Sequence, residues 1–420
     1  MNELHLAMNG RWLGTLRRAP RGLELVYDPD WIAGPAVPLS LSLPLSTEPR
    51  RGPEVEAYFD NLLPDRLDVR AQLRTVLGAE STSVFDLLAV AGRDCVGAVQ
   101  LLPNREVAFD VKPRLEAISD GGIASLLRTS ASPLGHRSRE DDFRISLAGA
   151  QYKTALTRWN EGWHRPLGTT PTTHILKPPI PDTILRDSVE NEWLCAKVCA
   201  ALGLQVAEAS IARFEDVRAL VVQRFDRRVA RDGRILRLPQ EDGCQASGVP
   251  SDRKYETDGG PGIATIMKHL QGASLHPLDD QLAFLKANVV FWLLAAPDGH
   301  AKNFSFMLRQ RGRIQLAPLY DVLSVYPDIE RRAIHLPKLK MAMAVSGKNR
   351  HYAWGEIHRR HWIATGKACG VSTERTSDML DDVATLGQSV GSTISLPAGF
   401  PDAVAEPIFR GIEKAAARLA

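Results

Sequence analysis

Apolar and polar positions alternate in three short runs between residues 3 and 27, broken at Asn9-Gly10 and at Pro20-Arg21-Gly22. Period two with turn residues between the runs predicts a strand meander. Helical spacing then covers Glu54 to Leu77 and Val84 to Val90, and Val96 to Leu102 reads as another strand, completing an α+β module over 1–105. Residues 106–142 are polar and irregular, with one helical patch from Gly121 to Leu127, and Ser130 to Asp142 reads as a flexible connection. From 143 to 225 strands resume: Phe143 to Ile145, Thr154 to Thr157 and His174 to Lys177, followed by an amphipathic helix from about Ser188 to Leu202. Residues 281–296 are apolar nearly all round and predict a core helix. Phe304 to Leu308 and Ile314 to Asp321 then read as two strands joined across Arg309 to Arg313, and the rest of 226–420 is mostly helical. The expected fold class is α+β, with no internal repeat.

The 420 residues carry 52 Lys+Arg against 49 Asp+Glu, so a net charge of +3 gives no global field marking a nucleic-acid binder. Composition is that of a folded, water-soluble chain, 44% apolar and 24% charged. No apolar window reaches the length of a membrane span, and the amino terminus lacks a signal core, so a cytoplasmic protein without a membrane partner is expected. Five cysteines without a C-x-x-C pair fit reduced thiols, and Cys195 and Cys199, four apart on one helix, are expected to pack in the core. His358-Arg359-Arg360-His361 is a basic knot, either a solvated face or a phosphate contact on DNA.

The chemistry concentrates after the core helix. Pro297 disfavours helix at Ala296, so a polar loop must begin there: Asp298-Gly299-His300-Ala301-Lys302-Asn303. An Asp and an Asn in D-x-x-x-x-N spacing can supply, from one loop, a proton acceptor and a Mg2+ ligand for phosphoryl transfer. Asp321, at the end of the strand pair, offers a second acidic group for the metal. Upstream, Lys177 lies on a strand closed by two prolines, either a phosphate contact or an edge lysine, and Glu192 or Glu190 is its candidate ion-pair partner. The small-residue stretch from Ser146 to Lys153 allows close backbone approach to phosphate oxygens, or is simply a hairpin turn.

Taken together, Ser-Leu-Ala-Gly-Ala-Gln at 146–151, Thr-Thr-His-Ile-Leu-Lys-Pro at 172–178, Val-Gln-Arg-Phe-Asp-Arg-Arg at 222–228, Arg-Leu-Pro-Gln-Glu-Asp at 237–242, the Lys-Tyr-Glu-Thr-Asp-Gly-Gly-Pro run from 254, Asp-Gly-His-Ala-Lys-Asn at 298–303 and Leu-Tyr-Asp-Val-Leu-Ser at 319–324 resemble the HipA family. These are serine/threonine kinase toxins of bacterial toxin-antitoxin operons, and the resemblance runs over nearly the whole chain. It implies a two-lobed, protein-kinase-like fold with an added amino-terminal α+β subdomain (1–105), a connection (106–142), an amino lobe with the phosphate loop (143–225) and a mostly helical carboxyl lobe (226–420).

By that resemblance Asp298 is the catalytic base, and Asn303 and Asp321 bind Mg2+. ATP is held by Ala148, Gly149, Ala150, Gln151, Tyr152, Lys153, Lys177, the hinge Gln223-Arg224-Phe225, Gln240, His300, Lys302 and Tyr320. Ser146 matches an autophosphorylated serine whose added charge would eject the phosphate loop. Lys367 matches a residue touching operator DNA, although Gly370 stands where an Arg is expected, which leaves direct contact open. The implied partners are a HipB-type helix-turn-helix antitoxin, operator DNA through that complex, and an aminoacyl-tRNA synthetase substrate, the glutamyl enzyme. Two other readings stay in view: a DNA-associated co-repressor that does not depend on catalysis, and a small-molecule phosphotransferase.

Overall fold

A computed structural model describes residues 1–105, 112–131, 151–180 and 187–420. The chain divides into two compact units, one formed by 1–178, 212–252 and 306–313, the other by 179–211, 253–305 and 314–420.

In the first unit the amino-terminal meander is present. Glu3–Met8, Arg11–Ala19 and Gly22–Tyr27 pair antiparallel in sequence order, Arg50–Arg51 adds to one edge and Gln100–Leu102 to the other. Turn chemistry sets the register, because Asn9 and Gly10 both adopt the positive φ that a two-residue hairpin needs. The helical stretch expected from Glu54 to Leu77 is two helices, Pro53–Asp60 and Leu67–Leu77. Pro64 explains the break, since it lacks an N–H and disfavours helix just before itself. Leu4, Leu6, Leu16, Leu25, Phe59 and Leu101 share a dry core with Val84–Ala91, the next helix.

A second sheet in this unit sets Val217–Gln223, His174–Lys177, Thr154–Trp159, Gly162–Pro166 and Leu115–Ala117 side by side. Its register places Lys177 opposite Leu220 and Gln223 opposite His174. The helix Asp120–Ala131 covers it through Ile123, Ala124 and Leu127. Beside the sheet lies a buried charge cluster. Asp94 accepts from Arg227 at 3.0 Å and from Arg237 at 2.9 Å and takes the Thr172 hydroxyl at 2.6 Å, while Asp226 accepts from Arg224 at 2.7 Å and from Arg227 at 2.8 Å. Burial by itself would raise the Asp94 carboxyl, but Arg227, Arg237 and Arg224 hold it well below the usual carboxylate range.

The second unit is built around Pro277–Leu293, against which Ile263–Ala273, Thr373–Thr393 and Asp402–Ala416 pack. Trp292 at its end stacks on Trp354 with centroids 5.5 Å apart, and each indole N–H donates to the other residue's carbonyl. The helix Ser188–Ala201 departs from the amphipathic expectation: Ser188 through Cys195 are all buried. Ser188 accepts from Ile180 N–H and Asn191 bonds the Ser324 main chain, so these polar positions do not mark a solvent face. Lys340–Val345 and His351–Ala353 form a hairpin where helix was expected. Cys195 and Cys199 are buried thiols whose burial pushes their ionisation up. No helix among the described residues is long and apolar enough to cross a membrane.

Candidate active site

The loop that carries Asp298 is positioned by the way its helix ends. Pro277–Leu293 stops short of the expected Ala296: Ala295 turns left-handed at φ 47°, and the N–H groups of Ala295 and Ala296 return to the carbonyls of Trp292 (3.0 Å) and Phe291 (2.8 Å). That is the Schellman arrangement, here without glycine, and it closes the helix before Pro297. Asp298 then emerges at the surface with its side chain 54% exposed. Gly299 must be glycine, because a Cβ there would lie 2.8 Å from the Phe291 ring.

Asn303 gathers the site. After the short turn Ala301–Asn303, its Nδ2 donates to the main-chain carbonyl of Asp298 at 2.7 Å and to that of Asp321 at 3.5 Å. The amide thereby fixes two backbone segments 23 residues apart in numbering and leaves Oδ1 as its remaining acceptor. Asp321 itself has φ 61°, a left-handed conformation that Asp tolerates better than most residues. It does not end a strand as expected, since the strand Ile314–Leu316 finishes five residues earlier. The segment after it is clamped: the Ser324 hydroxyl donates to Leu294 O at 2.6 Å, and Asn191 exchanges two bonds with the Ser324 main chain, at 2.7 and 2.9 Å. Neither Asn191 nor Ser324 was marked by its sequence context, because both act through main-chain bonds to distant residues.

His300 is buried beside the two carboxylates, with Nε2 3.4 Å from Asp298 Oδ1. Burial lowers its pKa against the pull of Asp298, while Lys254 adds to the lowering and Asp321 opposes it. Its Nδ1 has no hydrogen-bond partner among the described residues. The Tyr320 hydroxyl bonds Ser305 Oγ at 2.6 Å and donates to Lys302 O at 2.8 Å, so it braces the loop. Lys302 is buried. Tyr255 joins from outside the loop: its phenol donates to Asp298 Oδ1, and its ring meets His300 edge-on at 5.0 Å.

Glu192 also belongs to the second unit and is buried. Lys367 sits exposed in the last turn of Arg359–Ala368. Of the basic knot, His361 is buried and stacked on His351 at 4.2 Å, and Arg359 is bonded to Asp381 and Leu419 O, so two of its four residues serve the fold.

The remaining candidates lie in the first unit. Lys177 is buried, 6% exposed, on an interior strand between Val217–Gln223 and Thr154–Trp159. Gln223 ends its strand exposed. Arg224 N–H donates to Thr173 O at 2.9 Å and its guanidinium is inside the charge cluster, which leaves neither group for an adenine base. Phe225 is half-buried and Gln240 buried. Gln151 donates to Pro178 O at 3.4 Å while its Oε1 lacks a partner among the described residues. The Tyr152 ring lies under the Arg66 guanidinium, and Lys153 follows it. Ser146, Ala148, Gly149 and Ala150 lie outside the described residues.

The donor set suits the implied cofactors. Asp298 and Asp321 carboxylates with an Asn303 amide oxygen are hard ligands of the kind Mg2+ takes with added waters and phosphate. Among the described residues no three His, Cys, Asp or Glu side chains converge as an all-protein metal site. The bare nitrogen of His300 is a polar atom that a bound nucleotide would satisfy.

Comparison with known proteins decides the family. The HipA N-terminal domain model matches residues 4–102, and the HipA-like C-terminal domain model matches residues 145–390. The chain belongs to the HipA family. It is 32% identical to the putative kinase Y4mE of Sinorhizobium fredii, over 91% of this chain and 90% of that one. To the serine/threonine-protein kinase toxin HipA of Shewanella oneidensis it is 28% identical, over 73% of this chain and 71% of the relative. Among solved structures, HipA in the Shewanella oneidensis complex of HipA, HipB and operator DNA superposes with a TM-score of 0.81 at 22% identity, covering 99% of this chain and 97% of that one. The α+β, protein-kinase-like fold expected for a HipA protein is therefore the fold of this chain.

Proposed function

We propose that this HipA-family chain is a Mg2+- and ATP-dependent serine/threonine protein kinase and the toxin of a type II toxin-antitoxin module. The observation that carries the reading is the Asn303 amide bonded to the main chains of both Asp298 and Asp321. It holds a candidate base and a candidate metal ligand in one fixed frame. Positioning and charge complementarity are what phosphoryl transfer asks of a protein.

In this mechanism Asp298 accepts the proton of the acceptor hydroxyl as its oxygen attacks the γ-phosphorus of ATP, while the bond from that phosphorus to the bridging oxygen breaks and ADP leaves. Asn303 Oδ1 and the Asp321 carboxylate would hold the metal, and by family resemblance Lys177 and the 148–153 stretch would take the triphosphate. His300 and Gln240 contact the nucleotide, and Tyr320 acts indirectly by bracing Lys302. Mg2+, when bound, supplies neutralisation of the charge developing on the phosphates. The hinge reading narrows to Gln223 and Phe225, given the bonds Arg224 already makes.

The protein acceptor is an aminoacyl-tRNA synthetase, the glutamyl enzyme by family resemblance, and Ser146 is the self-inactivating autophosphorylation site. A helix-turn-helix antitoxin of the HipB type is the partner, with operator DNA reached through that complex in the cytoplasm. The relative solved with HipB and operator DNA supports this, and exposed Lys367 is the candidate DNA contact. The test is incubation of the purified chain with labelled ATP, Mg2+ and cell extract. One labelled protein band of synthetase mass supports the proposal, and label confined to small metabolites replaces it with the small-molecule phosphotransferase.

A further inference from the structure

The phenol of Tyr255 makes the hydrogen bond to Asp298 that an acceptor hydroxyl would make. It donates to Asp298 Oδ1, although the carboxylate is otherwise half-exposed. A kinase base that is open to solvent faces a competitor at far higher concentration than any protein substrate, namely water. Attack by water on the γ-phosphorus breaks the bond to the bridging oxygen, releases ADP and inorganic phosphate, and sends the water proton to the same carboxylate.

The loop that presents Tyr255 is built to hold it. Tyr255 precedes the short turn Glu256–Asp258, and its carbonyl accepts from Asp258 N–H at 3.0 Å and from Gly260 N–H at 2.9 Å. Gly260 has no room for a side chain, since a Cβ would lie 2.2 Å from Arg253 O. Glu256 ties the loop down: it accepts from Ala344 N–H at 2.6 Å and pairs with Arg350 at 3.2 Å. The Tyr255 ring rests edge-on against His300, and the Lys254 ammonium lies 5.7 Å from the ring centroid. The hydroxyl is thus presented to Asp298 by an anchored loop.

We propose that Tyr255 is a specificity-determining residue that occupies the base until an acceptor hydroxyl displaces it, and so suppresses transfer of the phosphoryl group to water. This rests on the kinase reading above, with Asp298 as base. A protein acceptor brings binding energy from its whole contact surface to displace one phenol hydrogen bond, whereas a single water brings none.

The experiment uses the purified chain with ATP and Mg2+ and no acceptor, and reads inorganic phosphate. Tyr255→Phe keeps the ring on His300 and removes the hydroxyl. It is expected to raise phosphate release about tenfold or more, the scale of one hydrogen bond to a charged group. Glu256→Ala, which keeps the Tyr255 side chain but frees the loop that presents it, is expected to raise it in the same direction and decides the matter should the first variant not fold. Phosphate release at or below the wild-type rate in the folded variants overturns the inference and makes Tyr255 a support of Asp298. Thermal stabilisation by ATP and Mg2+ is read on the wild type in parallel; its absence overturns the kinase reading itself, whatever Tyr255 does.

Discussion

Asp298 can be removed cheaply and Glu241 cannot be charged cheaply, and the difference is burial. The Asp298 side chain is half-exposed, its backbone is held by Asn303, and its side-chain contacts are confined to the Tyr255 phenol and the His300 ring. Asp298→Ala is therefore expected to leave the melting temperature nearly unchanged while lowering kcat by roughly 10²–10⁴, the span of general-base catalysis. Activity retained at wild-type level in a synthetase-labelling assay would remove the base from the mechanism. Glu241 is fully buried against Ser40 and the Leu41 N–H. Burial pushes its carboxyl up to about 8, against the hydrogen bonds of Ser40 and Leu41. The folded pKa is above the unfolded one, so the folded state keeps a proton that the unfolded state surrenders. Stability then falls as pH rises from the ordinary carboxylate value to about 8, and levels off above it. Glu241→Gln carries no such ionisation, so its melting temperature relative to wild type should rise between pH 5 and pH 8 and level off above that, as read by calorimetry. A difference independent of pH would mean that Glu241 does not titrate there.

At the scale of elements, the site depends on where one helix stops. Asp298 and Asn303 could be singled out in the sequence as candidates because their D-x-x-x-x-N spacing lies within one short segment that follows a core helix. The Schellman close at Ala295 was less legible, since alanine rarely adopts a positive φ and Pro297 alone suggested a later boundary. The Lys340–Val345 strand was hidden for another reason: Met and Ala are strong helix formers, and only the partner strand His351–Ala353 makes them extended. Tyr255 shows the limit most clearly, because no spacing rule links it to a carboxylate 43 residues away. The clamp between helix Ser188–Ala201 and the segment after Asp321 belongs to the same class. Asn191→Ala would leave the buried N–H and C=O of Ser324 unpaired, at a cost of about 1–3 kcal/mol for each group. It is expected to lower kcat as well as stability, because Asp321 loses the anchor three residues downstream. Chemical denaturation with a parallel rate measurement checks both, and a stability loss with kcat intact would separate the clamp from the chemistry.

For the molecule as a whole, the first unit has a second organising centre that contributes nothing to the proposed chemistry. Three arginines, Arg224, Arg227 and Arg237, are buried with two aspartates, Asp94 and Asp226, and Asp94 comes from the amino-terminal module while the arginines follow the second sheet. The Arg-Phe-Asp-Arg-Arg run was visible in the sequence as a motif, but its buried role was not, because Asp94 and Thr172 lie far upstream. The arrangement makes the amino-terminal module inseparable from the sheet of its own unit. Asp94→Ala would leave arginines buried without that carboxylate, and breaking a buried ion pair from one side costs roughly 3–5 kcal/mol. Hydrogen exchange should then show protection lost in the strands Glu3–Met8 and Val217–Gln223 and kept around Trp292 in the other unit. Asp94→Asn, which retains the shape and one acceptor oxygen, should lose less. The pH sense follows from the depressed Asp94 carboxyl: its contribution is present above the ordinary carboxylate value and disappears as the medium is acidified. Asp94→Ala should therefore flatten the acid limb of the stability curve of this unit, and an acid limb identical to wild type would show that the cluster is held by packing, with its charges contributing nothing.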